Sequence, residues 1–273
     1  MSDSDAPKGR VLIIAGSDSG GGAGIQADLK TVTMLGGYAM TAITAITAQD
    51  TTTVHGVWPV AIDAVTQQMR VCLTDIGADT IKTGMLGTAD LVDQVAETID
   101  DLARTAPRIV DPVMIATSGD RLVDERAVSA IAAVMLPGAA LVTPNAPEAE
   151  VLTGKAVDGV NGQRRAAEAL LEQGAKGALV KGGHIPGAVI HDVLQTEHGE
   201  WIFESARIET ESTHGTGCTL ASACAALLAQ GQAMTEAVEA ARTYLQKALQ
   251  HAPGLGNGHG PVAHNWSVTV ETD

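Results

Sequence analysis

Thr213, His214, Gly215, Thr216, Gly217 and Cys218 form a glycine-bracketed turn that runs straight into an alanine-rich apolar stretch. Residues 221–229 hold no Pro or Gly and predict a helix. A turn at a helix start leaves backbone N–H groups unpaired where the helix dipole is positive. Gly215 and Gly217, with no Cβ in the way, would let an anion reach those groups. Cys218 would stand in the first helical turn, where a thiol's pKa is lowered. The pattern suits an anion hole with an ionisable group beside it, the centre of a transferase. It equally suits a plain loop–helix junction with a buried cysteine, because free Cys is commonly buried and inert.

The elements that must position such a centre alternate along the chain. The apolar run 11–15, the Ala-, Thr- and Ile-rich stretch 38–46, and the short stretches 80–82, 108–110, 140–142 and 178–180 read as strands. Residues 25–35, 62–76, 89–103, 124–135, 163–173 and 235–250 read as helices. Residues 189–196 and 200–206 read as a hairpin turned at His198 and Gly199, and 47–60 as polar and irregular. The alternation predicts an α/β fold with a doubly wound, mostly parallel sheet. One domain over 1–273 is the simplest reading, with a polar tail at 1–10 and a loose tail at 252–273. In such sheets ligands bind outside the carboxyl ends of the strands. Asp111, Asn145, Lys181 and the Gly84–Met85 turn each follow a strand's last apolar residue, so they converge on one cleft. Pro112 and Pro144 stiffen two of those turns.

Other nucleotide motifs fit poorly. A Walker A loop needs Gly-Lys followed by Ser or Thr, and Gly154-Lys155 is followed by Ala156. Residues 16–24 form a glycine loop between a strand and a helix, the opening of a nucleotide- or phosphate-type unit. Within it, Gly22, Gly24 and Ala27 match a dinucleotide fingerprint in outline, with Asp50 further on, but six residues separate the strand end from Gly22. That register argues against a dehydrogenase. Asp18 and Asp28 read singly as caps or surface charges. Asp111 and Glu148, at strand-end turns beside proline, are better placed to hold Mg²⁺ with nucleotide phosphates, since Mg²⁺ takes few protein carboxylates and keeps waters. His184 and His214 adjoin glycine turns and could face phosphate; the other histidines read as surface or structural.

Composition narrows the partners. Acidic residues outnumber basic ones, 32 against 17, for a net charge of −15, which disfavours nucleic acid and anionic membrane. A phosphorylated substrate would then need a local positive site. Aromatic residues make up 2%, so the core must be built of Ala, Val, Leu and Ile. Cys72, Cys218 and Cys224 are odd in number and form no C-x-x-C pair, so neither a disulfide framework nor a zinc site is expected. With no signal-type run and no span of 18 apolar residues, the chain reads as soluble and cytoplasmic.

The runs Gly16-Ser17-Asp18-Ser19-Gly20-Gly21-Gly22-Ala23-Gly24, Gln49-Asp50-Thr51, Lys82-Thr83-Gly84-Met85-Leu86, Asp111-Pro112-Val113-Met114, Thr143-Pro144-Asn145, Lys181-Gly182-Gly183-His184 and His214-Gly215-Thr216-Gly217-Cys218 occur in order. Together they resemble the hydroxymethylpyrimidine/phosphomethylpyrimidine kinases of the ribokinase-like superfamily. The resemblance implies a three-layer α/β/α fold and an enzyme of thiamine biosynthesis that uses ATP and Mg²⁺. Such enzymes phosphorylate 4-amino-5-hydroxymethyl-2-methylpyrimidine and then its monophosphate, and the family suggests a homodimer, with residues 189–206 as one contact.

Residue by residue, the resemblance makes Gln49 the reader of the pyrimidine, whose amide offers donor and acceptor together. It places Gly16, Asp28 and Met85 in the substrate pocket. Asn145 and Glu148 match an N-x-x-E segment linked to phosphate and Mg²⁺, and Lys181 matches a phosphate-contacting lysine. Gly215, Thr216 and Gly217 match the anion hole, with His214 beside it. Cys218 stands where sugar kinases of the superfamily carry an Asp base, and as a thiolate would take the hydroxyl proton. Asp50 departs from the family, which more often has Asn there. The same Cys occurs in a branch of pyridoxal kinases, so pyridoxal kinase is the rival in this class. A precursor-binding sensor without catalysis is the rival outside it.

Overall fold

The computed structural model describes residues 7–114 and 123–268; the ends of both expected tails lie outside the described residues. The elements run β1 (Arg10–Asp18), α1 (Gly24–Met34), β2 (Tyr38–Gln49), β3 (Val54–Pro59), α2 (Ile62–Asp75), β4 (Thr80–Thr83), α3 (Ala89–Leu102) and β5 (Arg108–Val110). They continue with α4 (Glu125–Ala130), β6 (Leu141–Val142), α5 (Ala146–Thr153), α6 (Val160–Glu172), β7 (Gly177–Val180), β8 (Val189–Thr196), β9 (Gly199–Ala206), α7 (Thr216–Ala229) and α8 (Met234–Gln250). All the strands form one nine-stranded sheet in the order β3-β2-β1-β4-β5-β6-β7-β8-β9. The six strands from β2 to β7 are parallel; β3, β8 and β9 are antiparallel additions at the edges.

Strand alternation builds two cores. Val11, Ile13 and Ala15 face one side with Ile109, Leu141 and Leu179, covered by α1, α7 and α8. Leu12 and Ile14 face the other with Ile81, Val110, Val142 and Val180, covered by α2 to α6. Side chains pointing alternately up and down, each row apolar, are what a sheet buried on both faces requires. The result is a three-layer, doubly wound α/β/α arrangement. Ala221, Ala223, Ala225 and Ala226 of α7 are fully buried, so this nearly aromatic-free core brings helix and sheet backbones close together.

Several expectations need correcting. Residues 47–60 are not irregular. β2 runs on to Gln49, Asp50 caps the turn by accepting from the N–H groups of Thr52 and Thr53, and β3 returns antiparallel. β3 escaped notice because it is an edge strand with little burial, closed by Pro59. The helix at 124–135 changes to a π-helical turn at Ile131–Met135. Helix α5 was missed, although Asn145 and Glu148 form a complete capping box for it. The segment after α8 is not loose over 252–268: Val262 and His264 are buried, and Lys247 lies 4.7 Å from the centre of the Trp266 ring.

Candidate active site

The chain steps from β1 to β2 on one side and to β4 on the other, so a crevice opens at the carboxyl ends of β1 and β4. A cleft of ≈ 890 Å³ lies there and extends past the ends of β5, β6 and β7. Gly16, Gln49, Met85, Asp111, Asn145, Glu148, Lys181, His184 and the turn from His214 to Cys218 all line it. Asp28 does not.

One end of the cleft is shaped by β1, β2 and β4. A bulge interrupts the β1–β2 ladder between Ala15 and Ser17, which sets Gly16 at the site. A Cβ on Gly16 would come within 2.6 Å of Met85 Cε, so the glycine makes room for the methionine. Thr44 Oγ1 donates to the Met85 carbonyl at 2.7 Å and fixes the β4 turn. Ser19 Oγ accepts from Gln49 N (2.8 Å) and donates to Gln49 O (2.9 Å), holding Gln49 at the rim. Asp50 turns away and bonds His55 at 2.7 Å, so its charge is spent outside the cleft.

The glycine loop does not cradle an external phosphate. Its amides are already used: Gly20, Gly22 and Ala23 donate to the carboxylate of Asp18 at 2.8–2.9 Å. Burial pushes Asp18 up, but the bond from His214 and the N–H groups of Ala23 and Gly20 outweigh it and hold the carboxyl below its ordinary value. His214 was expected beside the phosphate. Its ring instead points to the β1–β2 end, with Nε2 2.9 Å from Asp18 Oδ2 and 3.0 Å from Gln49 Nε2.

The other end holds the turn expected to bind an anion. Gly215 is the N-cap of α7 with φ 80°, and Thr216 N–H makes only a long 3.4 Å bond to the Thr213 carbonyl. Gly217 and Cys218 N–H make no backbone bond among the described residues. The two glycines act differently. A Cβ on Gly215 would collide with the Gly22 carbonyl, so Gly215 locks the turn against the glycine loop. A Cβ on Gly217 would lie 3.3 Å from Lys181 Nζ and 3.9 Å from Asp111 Oδ2, so Gly217 is the one that leaves space for an anion.

Lys181 is aimed from the end of β7. Its N–H bonds the Pro144 carbonyl, and the next residue, Gly182, donates to Asp192 Oδ1, which Arg242 braces through Oδ2. Lys181 Nζ lies 3.5 Å from Asp111 Oδ1. Asp111 Oδ2 is buried without a hydrogen-bond partner. Glu148 Oε2 accepts from Asn145 N at 2.8 Å, and the Met114 N–H also bonds this carboxylate. Burial pushes Glu148 well above the carboxylate range, with Asp111 adding to the effect and Lys181 opposing it. Two carboxylates, one holding an unbonded buried oxygen, are what a divalent cation would relieve. Among the described residues there is no cluster of three or more His, Cys, Asp or Glu that could hold a metal, so phosphate and water would have to complete the shell. His184 is kept below its ordinary value by burial and by Lys181 and Arg207.

Two sequence expectations fail here. Asp28 is fully buried beneath the cleft, where Lys82 Nζ donates to both its oxygens at 2.9–3.0 Å and Ser222 to Oδ1 at 2.6 Å. It props Lys82, which does line the cleft and sits 3.9 Å from Asp111 Oδ2. The Cys218 thiol is not lowered. Burial pushes it up to about 12; Lys82 and the Gly24 N–H pull it down, while Asp28 and Asp111 push further up. The side chain is half-buried at the cleft wall, and the apolar packing outweighs the helix terminus. Lys82 and Asp18 were the functional residues sequence reasoning passed over. Lys82 sits inside one of the motif runs, and a lysine within a short strand of the central sheet was the available signal.

Residues 18–263 match the family model described as phosphomethylpyrimidine kinase. The hydroxymethylpyrimidine/phosphomethylpyrimidine kinase of Streptomyces coelicolor is 45% identical over 258 residues, covering 94% of this chain and 95% of that protein. The chain belongs to this family. Among solved structures, the family's phosphomethylpyrimidine kinase from Clostridium difficile superimposes with a TM-score of 0.79 at 37% identity, covering 88% of this chain and 99% of that one. The pyridoxal kinase of Staphylococcus aureus in complex with ADP reaches 0.89 at 33% identity, covering 97% and 96%. Family membership makes this chain a kinase. No helix among the described residues is long and apolar enough to cross a membrane.

Proposed function

We propose that this chain transfers the γ-phosphoryl group of ATP to the hydroxyl of 4-amino-5-hydroxymethyl-2-methylpyrimidine, and then a second one to the monophosphate. Each transfer forms an O–P bond, breaks the γ-phosphate bond of ATP, and releases ADP and, in the first, the hydroxyl proton. The observation that carries this reading is the shape of one cleft: Gln49, Met85 and Gly16 at one end, and the Gly217–Cys218 amides facing Lys181 and Asp111 at the other.

Phosphoryl transfer depends mainly on positioning and on stabilising charge. The α7 amides and Lys181 would bind the transferring group, and losing one such donor typically costs about 10²–10³ in rate. Asp111 and Glu148 would hold Mg²⁺, which when bound neutralises phosphate charge. Gln49 would hydrogen-bond the ring edge, and Met85 would pack on its face. Cys218 would take the hydroxyl proton as a thiolate, with Lys82 as the buried cation favouring that form.

The test is ADP release with hydroxymethylpyrimidine against pyridoxal, which the likeness to pyridoxal kinases makes the right comparator. Faster turnover of pyridoxal would replace the proposed substrate, and binding without ADP release would make the chain a sensor. Gln49→Leu should raise the pyrimidine KM about tenfold, the worth of a hydrogen bond, and leave that of ATP alone; equal effects would remove Gln49 from the ring's recognition. A homodimer belongs to the same proposal. Exposed Ile46 and its cross-strand partner Trp58 mark one apolar edge, and Val189 and Ile202 mark another on the hairpin. Sedimentation of Trp58→Glu and Ile202→Glu should show which edge is used, and a monomeric wild type would end the idea.

A further inference from the structure

His214, Asp18 and Gln49 meet at one nitrogen. Asp18 Oδ2 and Gln49 Nε2 both lie within 3.0 Å of His214 Nε2. Asp18 already accepts from three backbone N–H groups and is held ionised, so it can only accept. A lone pair on Nε2 would face that carboxylate, so Nε2 carries the proton. An N–H on Nε2 cannot also receive the NH₂ of Gln49. The two ends of a side-chain amide exchange by rotation about its last bond, and the hydrogen-bond network decides which faces where. Here it turns Oε1 towards His214 and leaves NH₂ for the cleft.

The surroundings make the arrangement rigid. The His214 ring packs on Gly22, where a Cβ would collide with Cδ2, and its backbone N–H bonds the Gly260 carbonyl at 3.0 Å. Ser19 holds the Gln49 backbone from both sides.

We propose that His214 and Asp18 are positioning residues that fix the Gln49 amide with its NH₂ towards the substrate, so that the site selects a ring offering an acceptor nitrogen at that edge. This rests on the reading of Gln49 as the group that meets the pyrimidine. A ring nitrogen flanked by carbon is such an acceptor, and a C–H in its place would leave the NH₂ unpaired.

Two measurements test it on the full chain. Long-range ¹H–¹⁵N spectra of the substrate-free protein, assigned by the signals lost in His214→Phe, should show a protonated Nε2 on His214. An unprotonated Nε2 would overturn the proposal whatever the substrate proves to be. In kinetics, His214→Phe keeps a ring against Gly22 but removes the donor. The KM for hydroxymethylpyrimidine should rise about tenfold, the worth of one hydrogen bond, while the KM for ATP and kcat stay within about twofold. A fall in kcat with unchanged pyrimidine KM, or equal rises in both KM values, would also overturn it. If the wild type itself releases no ADP with hydroxymethylpyrimidine, the proposed function fails, and the Nε2 spectrum still decides the geometry.

Discussion

The raised thiol of Cys218 makes the proposed proton acceptor testable. A thiol at about 12 lies five units above pH 7 (12 − 7 = 5). About one molecule in 10⁵ then carries the thiolate, at a cost of ~7 kcal/mol, since each unit is worth about 1.36 kcal/mol. A kcat of about 10 s⁻¹ corresponds to a barrier of roughly 16 kcal/mol, so deprotonation would take nearly half of it. The sign is unambiguous. The active form is the deprotonated one, its population grows tenfold per unit of pH, and it levels off only near the folded pKa. The logarithm of kcat should therefore climb with unit slope from about pH 6.5 to about pH 9.5, without a plateau. Cys218→Ala should lower kcat about 10²–10⁴-fold near neutrality and abolish the slope. Stopped-time ADP assays across that range, with excess Mg²⁺ and both substrates saturating, measure both. A flat wild-type profile, or a slope that survives in Cys218→Ala, would remove the thiolate from the reaction. Iodoacetamide gives an independent check: relative to an ordinary thiol at 9.0, Cys218 should alkylate about 10³-fold more slowly (12 − 9 = 3).

Four further outcomes follow from the site's geometry. Gly217→Ala should fold normally but lose about 10²-fold in kcat, because its methyl would occupy anion space beside Lys181; Gly215→Ala should lose stability instead, as its φ is positive and the Gly22 carbonyl stands in the way, and circular dichroism melts will separate the two. Lys82→Met should destabilise the fold by about 3–5 kcal/mol by stranding the buried Asp28 carboxylate, read as a shift in denaturant midpoint; an unchanged midpoint would mean that Asp28 is protonated. Asp111→Asn should raise the Mg²⁺ concentration needed for half-maximal rate without moving the pyrimidine KM, and a Mg²⁺ dependence equal to wild type would free Asp111 of the metal.

Much of the fold was legible because short strands rich in apolar and β-branched residues alternate with helices that are mostly amphipathic over several turns. β3 was not, since an exposed edge strand shows no apolar run, and α5 was hidden because its capping residues were read only as ligands. At the site, the strand-end rule correctly gathered Asp111, Asn145, Lys181 and the Met85 turn. What it could not supply was which polar groups satisfy one another. Asp18 consumes the glycine-loop amides, Asp28 is spent on Lys82, and burial reverses the effect of a helix terminus on Cys218. Each of these depends on contacts across the chain, the Asp18–His214 pair being 196 residues apart. Local patterns place side chains at a site, but pairings over such separations decide their charge and orientation.

The packing of residues 252–268 bears on how the protein is made. His214 is held by the glycine loop near the start of the chain and by Gly260 near its other end. During synthesis, the sheet from β1 to β7 can assemble while α8 is still on the ribosome. The Gln49 end of the cleft is complete only once Gly260 and Pro261 have left the exit tunnel to pair with His214. A nascent chain can thus hold most of its sheet before it can grip a substrate. A ligand that needs this end of the cleft then stabilises only chains in which Gly260 and Pro261 have docked on His214.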